Sequence, residues 1–524
     1  MEMFIKFRRI LQFTIFVLIG WIIYSPMTSN YLTNPDGISL GVFSKPWSEG
    51  DDFGRIGIKY LDTFLGRIIS PNLSLIVSLS ILGLAIVLLA EILEIYDYKK
   101  NILMGSILLL VPNTSSLFTY YYCMIQYGIA FILGVISCWF LYKVKSRWSW
   151  LVGAILITFQ LTLYQAYLSV TVLVDIFIII GACIRGDEIK NIIEKSIKLL
   201  LACIFGVMGY LVLLKLLNVS LTSHRGFDQM GALRISELPK MLRNAYVNFY
   251  DYFYGNCLLN NTWMLRRYIN AVVILAALIL LLILLTKRLL KKIWNCVIII
   301  ILMVLLPIAC EITAIIAPGV DPYGTTGILL VPAMSMIYMI PIWFASELCK
   351  EIDDEKQCIF KQRNKIWKAI SQHGYLVVLV PLLWNLILYT TVVENVMQLN
   401  YQSTYALCEK ISNSIDVKYG YEQGQKIMIV GDSELGNYPC TYENLRTIVK
   451  GSLAEKGYVW KGGWLSNVCY QAIYLNYFGI EYKIPTADEY NSIISQEICQ
   501  SMDVFPNENS VEFIDGIVVV KLSK

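Results

Sequence analysis

The sequence is short of the groups that most soluble enzymes rely on. It holds two histidines, His224 and His373, and its 13 cysteines form neither a Cys-x-x-Cys pair nor a Cys/His spacing of the zinc-binding kind. Metal ligation through imidazole or thiolate is therefore not expected. Charged residues make up only 16% of the chain against 56% hydrophobic ones, which excludes an ordinary soluble globular protein. The net charge of +4 is small, and the Lys and Arg residues lie scattered among apolar segments, leaving no contiguous basic face for nucleic acid. The strand-like stretch KIMIVGD ends in Gly431-Asp432 without the further glycines of a dinucleotide loop, so that turn reads as an ordinary strand end. The first apolar segment lacks a small-residue cleavage site, which argues for a retained helix rather than a secretory signal.

What the chain has in abundance is apolar runs long enough to cross a bilayer, which takes about 20 helical residues each. The first runs from Ile10 to Tyr24 behind Lys6, Arg8 and Arg9. Others are expected near 73–93, 101–117, 122–142, 150–164, 167–184, 197–217, 270–286, 294–316, 328–347 and 375–393. The fold class read from this pattern is an all-α polytopic membrane protein of about eleven transmembrane helices. Basic clusters follow every second span: Lys99 and Lys100; Lys143, Lys145 and Arg147; Arg185, Lys190, Lys195 and Lys198; Lys287, Arg288, Lys291 and Lys292; then KEIDDEKQCIFKQRNKIWK. The positive-inside bias then places the N-terminus in the cytoplasm and, with an odd number of spans, the C-terminus outside.

Residues 1–393 are expected to form the transmembrane domain, with outer loops at about 26–72 and 218–269, and residues 394–524 a small extracytoplasmic α/β domain. That tail is polar and contains the strand KIMIVGD, helical stretches around Glu443–Lys450 and Ala487–Ile498, and SVEFIDGIVVVKL. In the last stretch Asp515-Gly516 between two β-rich runs signals a hairpin. Cys123, Cys138, Cys183, Cys203, Cys296 and Cys310 fall in or beside spans as small hydrophobes, whereas Cys257, Cys408, Cys440, Cys469 and Cys499 are placed outside, where pairing is open to them.

The first outer loop, NPDGISLGVFSKPWSEGDDFGR, concentrates acid in an apolar chain: Asp36, Glu49, Asp51 and Asp52, followed by Arg55 and, before Ser70-Pro71, by Arg67. Asn-Pro-Asp-Gly is an ordinary turn sequence, and the plain reading is a solvated loop. The chemical reading is a site at the outer mouth of the bundle. One carboxylate would take a proton from a hydroxyl, while a guanidinium holds a phosphate through its bidentate fork.

NPDG, DDFGR, LGRIISP, the later LTLYQAYLSV and the terminal SVEFIDGIVVVKL together resemble the bacterial Gtr type II glucosyltransferases, related to O-antigen serotype-converting enzymes of the polytopic GT-C class. The resemblance implies transfer of a hexose, typically glucose, from an undecaprenyl-phosphate carrier to a cell-surface glycan on the outer face of the bacterial cytoplasmic membrane, with inversion at the anomeric carbon. It also implies an essential acid in the first outer loop: Asp36, with Asp51 and Asp52 as competing choices, and Arg55 or Arg67 matching a Gly-Arg element. The acidic motif that other members carry in the second outer loop has no counterpart in VPNTSSLFTYYY, so the two-carboxylate metal site of some relatives is not supported here; no cofactor is expected, a divalent cation being open but without support. A polyprenyl-phosphate sugar brings its own leaving group. The protein has only to orient the acceptor, accept its proton and neutralise the departing phosphate.

The loop at 218–269 carries Arg225, Arg234, Lys240, Arg243, Arg266 and Arg267 among aromatic residues, as an interfacial amphipathic helix would. Arg266 and Arg267 are the expected contacts of a carrier phosphate in this loop, beside Arg55 and Arg67. Glu49, Gln165 and Asp321 are the expected substrate contacts. Gln160, Asp175 and Glu311 are costly in lipid and should face the bundle interior. Two other functions fit part of this pattern. A transporter would use Asp175 and Glu311 as proton or ion relays, but the chain shows no inverted repeat. A ligase or polymerase acting on lipid-linked oligosaccharides would use the basic outer loops without needing the acidic first one.

Overall fold

A computed structural model of the chain describes residues 2–40, 43, 51–223, 228, 230, 235–254, 266–286, 292–317, 331–354, 374–432 and 457–523. The expected contacts Glu49 and Asp321, and the expected helix at 443–450, lie outside these residues. Among the described residues, eight helices are long and apolar enough to cross a membrane. They are Phe7–Ser29 of α1 (Glu2–Ser29), α4 (Pro71–Ile92), α7 (Met124–Lys143), the stretch Gln165–Arg185 containing α9 (Leu168–Arg185), α10 (Ile189–Leu216), α12 (Arg266–Leu284, with Arg267–Leu284 as the span), α13 (Ile293–Cys310) and α17 (Tyr375–Tyr419).

Three further apolar segments take other forms. The segment expected at 101–117 is a bent pair, α5 (Tyr98–Leu110) and α6 (Pro112–Phe118), meeting at 54°. Pro112 cannot donate to the helix before it, and Thr114 Oγ1 instead donates to Leu108 O at 2.7 Å across the break. The next is the 15-residue α8 (Ser149–Leu163). The short α14 (Ile312–Ile316) follows α13, and the stretch near 328–347 is broken into α15 (Pro332–Met336), a short 3-10 turn and α16 (Ile340–Asp354). Small residues let these helices approach closely: a side chain at Gly206 would strike Ile157, and Thr158 Oγ1 donates to Gly206 O at 3.0 Å between α8 and α10.

The two ends of the bundle differ in chemistry. At one end, Glu91 pairs with Arg9 at 3.2 Å and Lys143 at 3.1 Å, while Glu94 pairs with Arg185 at 3.5 Å and Lys350 at 3.4 Å. These contacts bring together the N-terminal part of α1 and the C-terminal ends of α4, α7, α9 and α16. The opposite end holds the C-terminal turn of α1, where Thr28 Oγ1 donates to Asn72 Oδ1 at 2.8 Å, and the connections that carry the candidate site.

The C-terminal part is built on α17, which does not stop where its hydropathy falls at residue 393 but continues as one helix to Tyr419. Leu407, Cys408, Ile411 and Ile415 on that extension pack against a three-stranded sheet. Its strands β1 (Lys426–Val430), β2 (Val511–Ile514) and β3 (Ile517–Lys521) lie in the order β1-β3-β2, with β1 parallel and β2 antiparallel to β3. The expected hairpin at Asp515-Gly516 joins β2 to β3, both residues having positive φ. Ile427, Ile429, Val518 and Val520 face α17 and α18 (Gly463–Ile473). Met428, Ile517 and Val519 face α19 (Ala487–Ile494) and α20 (Glu497–Ser501), as the two-residue period of a strand requires. Cys408, Cys469 and Cys499 are buried thiols, each in a different helix of this region, whereas Cys257 and Cys440 lie outside the described residues.

Candidate active site

The Asn-Pro-Asp-Gly sequence folds as the start of α2 (Pro35–Ser39), a single helical turn. Proline fits the first helical position, and the Asn34 side chain caps the turn by accepting from Gly37 N at 3.0 Å. Asn34 Nδ2 also donates to Thr119 O at 3.3 Å and Thr119 Oγ1 at 3.2 Å, and Thr33 Oγ1 donates to Thr119 O at 2.8 Å. These bonds pin α2 to the connection between α6 and α7. Asp36, on the first turn, is half-buried beside that connection. Its charge reaches the phenols of Tyr120 and Tyr122: burial pushes both well above the usual tyrosine value, and Asp36 adds to the effect.

Arg55 enters the same place from the other side. It precedes α3 (Ile56–Phe64), and its Nη1 donates to the Tyr127 hydroxyl at 3.3 Å. Its guanidinium stands 4.7 Å over the Tyr164 ring and 5.5 Å from that of Phe53. Tyr164 in turn stacks on Tyr127 with centroids 4.2 Å apart. Arg55 Nε is buried without an acceptor, and Arg55 makes no ion pair among the described residues. Tyr120 feels both charged groups, since the positive charge of Arg55 opposes the burial and the Asp36 charge that raise its phenol. Asp36 and Arg55 therefore both act on the same group of tyrosines, Tyr120 and Tyr122, with Tyr127 and Tyr164 packed against the Arg55 guanidinium.

The loop bearing Arg55 is held by a backbone clamp. Gln165 Nε2 donates to Phe53 O and to the Tyr210 hydroxyl, each at 2.8 Å, and that hydroxyl donates to Gly54 O at 3.0 Å. Gly54 has φ +73° and passes so near the clamp that an added Cβ would lie 2.3 Å from Tyr210 Oη. The Gln165 amide nitrogen thus holds the loop that carries Arg55.

The remaining expected residues lie elsewhere. Asp52 is exposed, and its backbone carbonyl accepts from Thr222 N at 2.8 Å; Asp51 opens a 3-10 turn, its side chain being outside the described set. Arg67 lies beyond the far end of α3 from Arg55, with about 13 Å of helix between them, and its Nη2 donates to Thr63 Oγ1 at 3.3 Å. Arg267 is exposed at the start of α12, with no described contact to these tyrosines, and of Arg266 only the backbone is described. The loop before α12 does contain an amphipathic helix, α11 (Leu238–Phe253), with Tyr252 and Phe253 buried against the bundle. Gln160 locks α8 to α9 by donating to Tyr167 O at 2.9 Å and accepting from Thr171 Oγ1 at 3.0 Å.

Sequence reasoning missed two features. The tyrosines near Asp36 and Arg55 come mostly from TYYYCMIQY, which reads in sequence as the start of a span, although three consecutive tyrosines at a span mouth are a signal in themselves. Asp62, a buried acid on α3, accepts from Gln126 Nε2 and anchors α3 against α7.

No curated protein matches the chain. A family model does: that of Glucosyl transferase GtrII matches residues 40–340, from just after Asp36 through the Arg55 loop and most of the bundle. With the match covering more than half of the sequence, the chain belongs to the Glucosyl transferase GtrII family and is a membrane-embedded glycosyltransferase.

Proposed function

We propose that this enzyme moves a glucosyl unit from an undecaprenyl-phosphate carrier to a surface glycan, at the tyrosines that Asp36 and Arg55 share. The observation that carries the reading is the state of Arg55. A guanidinium whose Nε is buried without an acceptor, held by aromatic faces and by no carboxylate among the described residues, is a cation suited to an anion. A phosphate fits its fork, and the stack on Tyr164 holds the guanidinium plane ready for it.

In this reading the Asp36 carboxylate accepts the proton of the acceptor hydroxyl as that oxygen bonds to the anomeric carbon. The bond from that carbon to the phosphate oxygen breaks on the opposite face, and its electron pair leaves with the phosphate, whose growing charge meets Arg55. Attack opposite the leaving group inverts the anomeric centre. The tyrosines offer ring faces and hydroxyls to a sugar, and Gln165 with Tyr210 keeps the Arg55 loop in place. Asp51 and Asp52 are the alternative bases. Arg67, Arg266 and Arg267 would guide the carrier phosphate towards Arg55, with Glu49 and Asp321 as contacts to the sugars.

The same reading sets the chain in the bacterial cytoplasmic membrane with eleven crossings, residues 1–393 forming the transferase domain. The end rich in ion pairs faces the cytoplasm, and residues 394–524 stand outside beside the acceptor. The test is mass spectrometry of surface glycan from cells with and without the intact protein. Loss of a single hexose per repeating unit is expected; an unchanged glycan contradicts the proposal.

A further inference from the structure

The C-terminal part holds a cavity of about 1060 Å³ that takes no part in the site around Asp36 and Arg55. It lies past the C-terminal ends of β1 and β3, at Val430-Gly431 and Lys521, beside α19 and α20. These strands run parallel, and the carboxyl ends of parallel strands are where an α/β sheet leaves a crevice for a ligand. The two ends are tied together, Leu522 N donating to Val430 O at 2.7 Å and Asp432 N to Ser523 Oγ at 3.0 Å, so the crevice has a fixed edge. Among the described residues of the lining, Lys521 is the one cation, and its three donors are taken by Cys499 O at 3.0 Å, Gln500 O at 2.7 Å and Met502 O at 3.0 Å. No donor of that lysine is left for an anion. Asp503 is the one acid of the same lining, so the two charges cancel. The polar groups that remain open are of another kind. Asp503 and Asn507 are exposed and make no side-chain hydrogen bond among the described residues, and the Tyr490 hydroxyl has no partner among them. Gln500 has one long contact, from Nε2 to Ser495 O at 3.5 Å.

We propose that this cavity binds neutral sugar residues of the acceptor glycan, beyond the one that receives glucose; the inference rests on the transferase reading above. A lining without net charge or a spare cation suits an uncharged ligand. A carboxylate, two amides and a phenol offer it both acceptors and donors, which is what sugar hydroxyls require. Ile494, Met502 and Val504 add apolar surface for the C–H faces of the rings, and the volume stands at the upper end for ligand pockets, with room for more than one ring. The cavity is also placed for a glycan that reaches the site around Asp36. Cys469 on α18 donates to Pro35 O at 3.6 Å, in the turn that carries Asp36, and Gly463 at the start of the same helix lines the cavity. About 9 Å of helix separates the two positions, a span that neighbouring sugars of one chain can bridge.

The test uses the full chain in lipid nanodiscs and, as probe, the oligosaccharide repeating unit released from the surface glycan of cells that lack the enzyme. Binding is read by isothermal titration without donor, and glucose transfer to the same probe is followed separately. Asp503→Ala combined with Asn507→Ala should weaken binding about tenfold and raise the acceptor KM by about the same factor, while kcat and the donor KM stay within about twofold of the parent. Gln500→Trp, which fills the cavity from an exposed position, should act in the same direction and serves where the double variant folds poorly. Absence of binding by the parent, or unchanged binding in a folded variant, overturns the inference even where the parent transfers glucose. Competition by inorganic phosphate at millimolar concentration overturns the neutral sugar in favour of an anion. Binding that depends on Asp503 and Asn507 in a parent that transfers no glucose supports the cavity as a glycan site while the transferase reading fails.

Discussion

At the scale of single residues, the account turns on how Arg55 is held. A lysine in its place would keep the charge but lose both the planar stack on Tyr164 and the two-pronged grip on phosphate. Arg55→Lys is therefore expected to lower kcat/KM by about 100-fold, roughly the cost of a bidentate contact and its stacking. Steady-state transfer in proteoliposomes measures it, and a loss below threefold argues against a phosphate role. Gln165→Leu tests the clamp. It removes two hydrogen bonds of about 1 kcal/mol each from the loop, so transfer should fall at least tenfold while chemical competence survives at high donor concentration. The sequence offers Asp36 together with Asp51 and Asp52, and Arg55 together with Arg67, through the acidic first loop and the resemblance it carries. It does not single out the tyrosines around them, since Tyr120, Tyr122 and Tyr127 blend into the hydropathy of a span. Gln165 stood out as polar, but its partners, the backbone at 53 and Tyr210, lie far off in sequence, where no local pattern announces them.

At the scale of elements, most helices were legible because a bilayer demands long apolar runs. The exceptions have local causes. The bend between α5 and α6 comes from Pro112, and α17 outlasts its apolar stretch because its buried residues continue at helical spacing. Val396, Asn400, Leu407, Ile411 and Ile415 continue the stripe that Leu379, Leu386 and Val393 begin against the bundle, and from Leu407 on it packs on the C-terminal part. The ion-paired end of the bundle gives a pH prediction. Burial alone would raise the Glu94 carboxyl, but the Tyr142 hydroxyl, Arg185 and Lys350 hold it below its usual value. A carboxylate with a folded pKa below its unfolded one contributes stability that is present above the unfolded value, about 4.3. That contribution disappears as pH falls through the folded value. Thermal unfolding in detergent should therefore show the protein losing stability as pH drops below about 4, and Glu94→Gln should lose less over the same range. Identical pH dependence in the two proteins would remove Glu94 from the account.

At the scale of the whole molecule, the C-terminal part is not a pendant. Ile38, two residues from Asp36, is fully buried in the same core as Ile427, Tyr470 and Val518, and Cys469 Sγ donates to Pro35 O at 3.6 Å. Burial pushes the Cys469 thiol up to about 12, with the Asp36 charge contributing. This junction was illegible in sequence, because it joins positions more than 400 residues apart through an apolar contact that any isoleucine could make. It means that the turn carrying the proposed base is gripped from two sides, by the connection before α7 and by α18. The most direct measurement is transfer by purified Asp36→Asn protein in proteoliposomes supplied with polyprenyl-phosphate glucose. The account predicts that donor binding stays within about threefold of the parent while turnover falls by 100-fold or more, about the contribution of a general base. Turnover at the parental rate would contradict it.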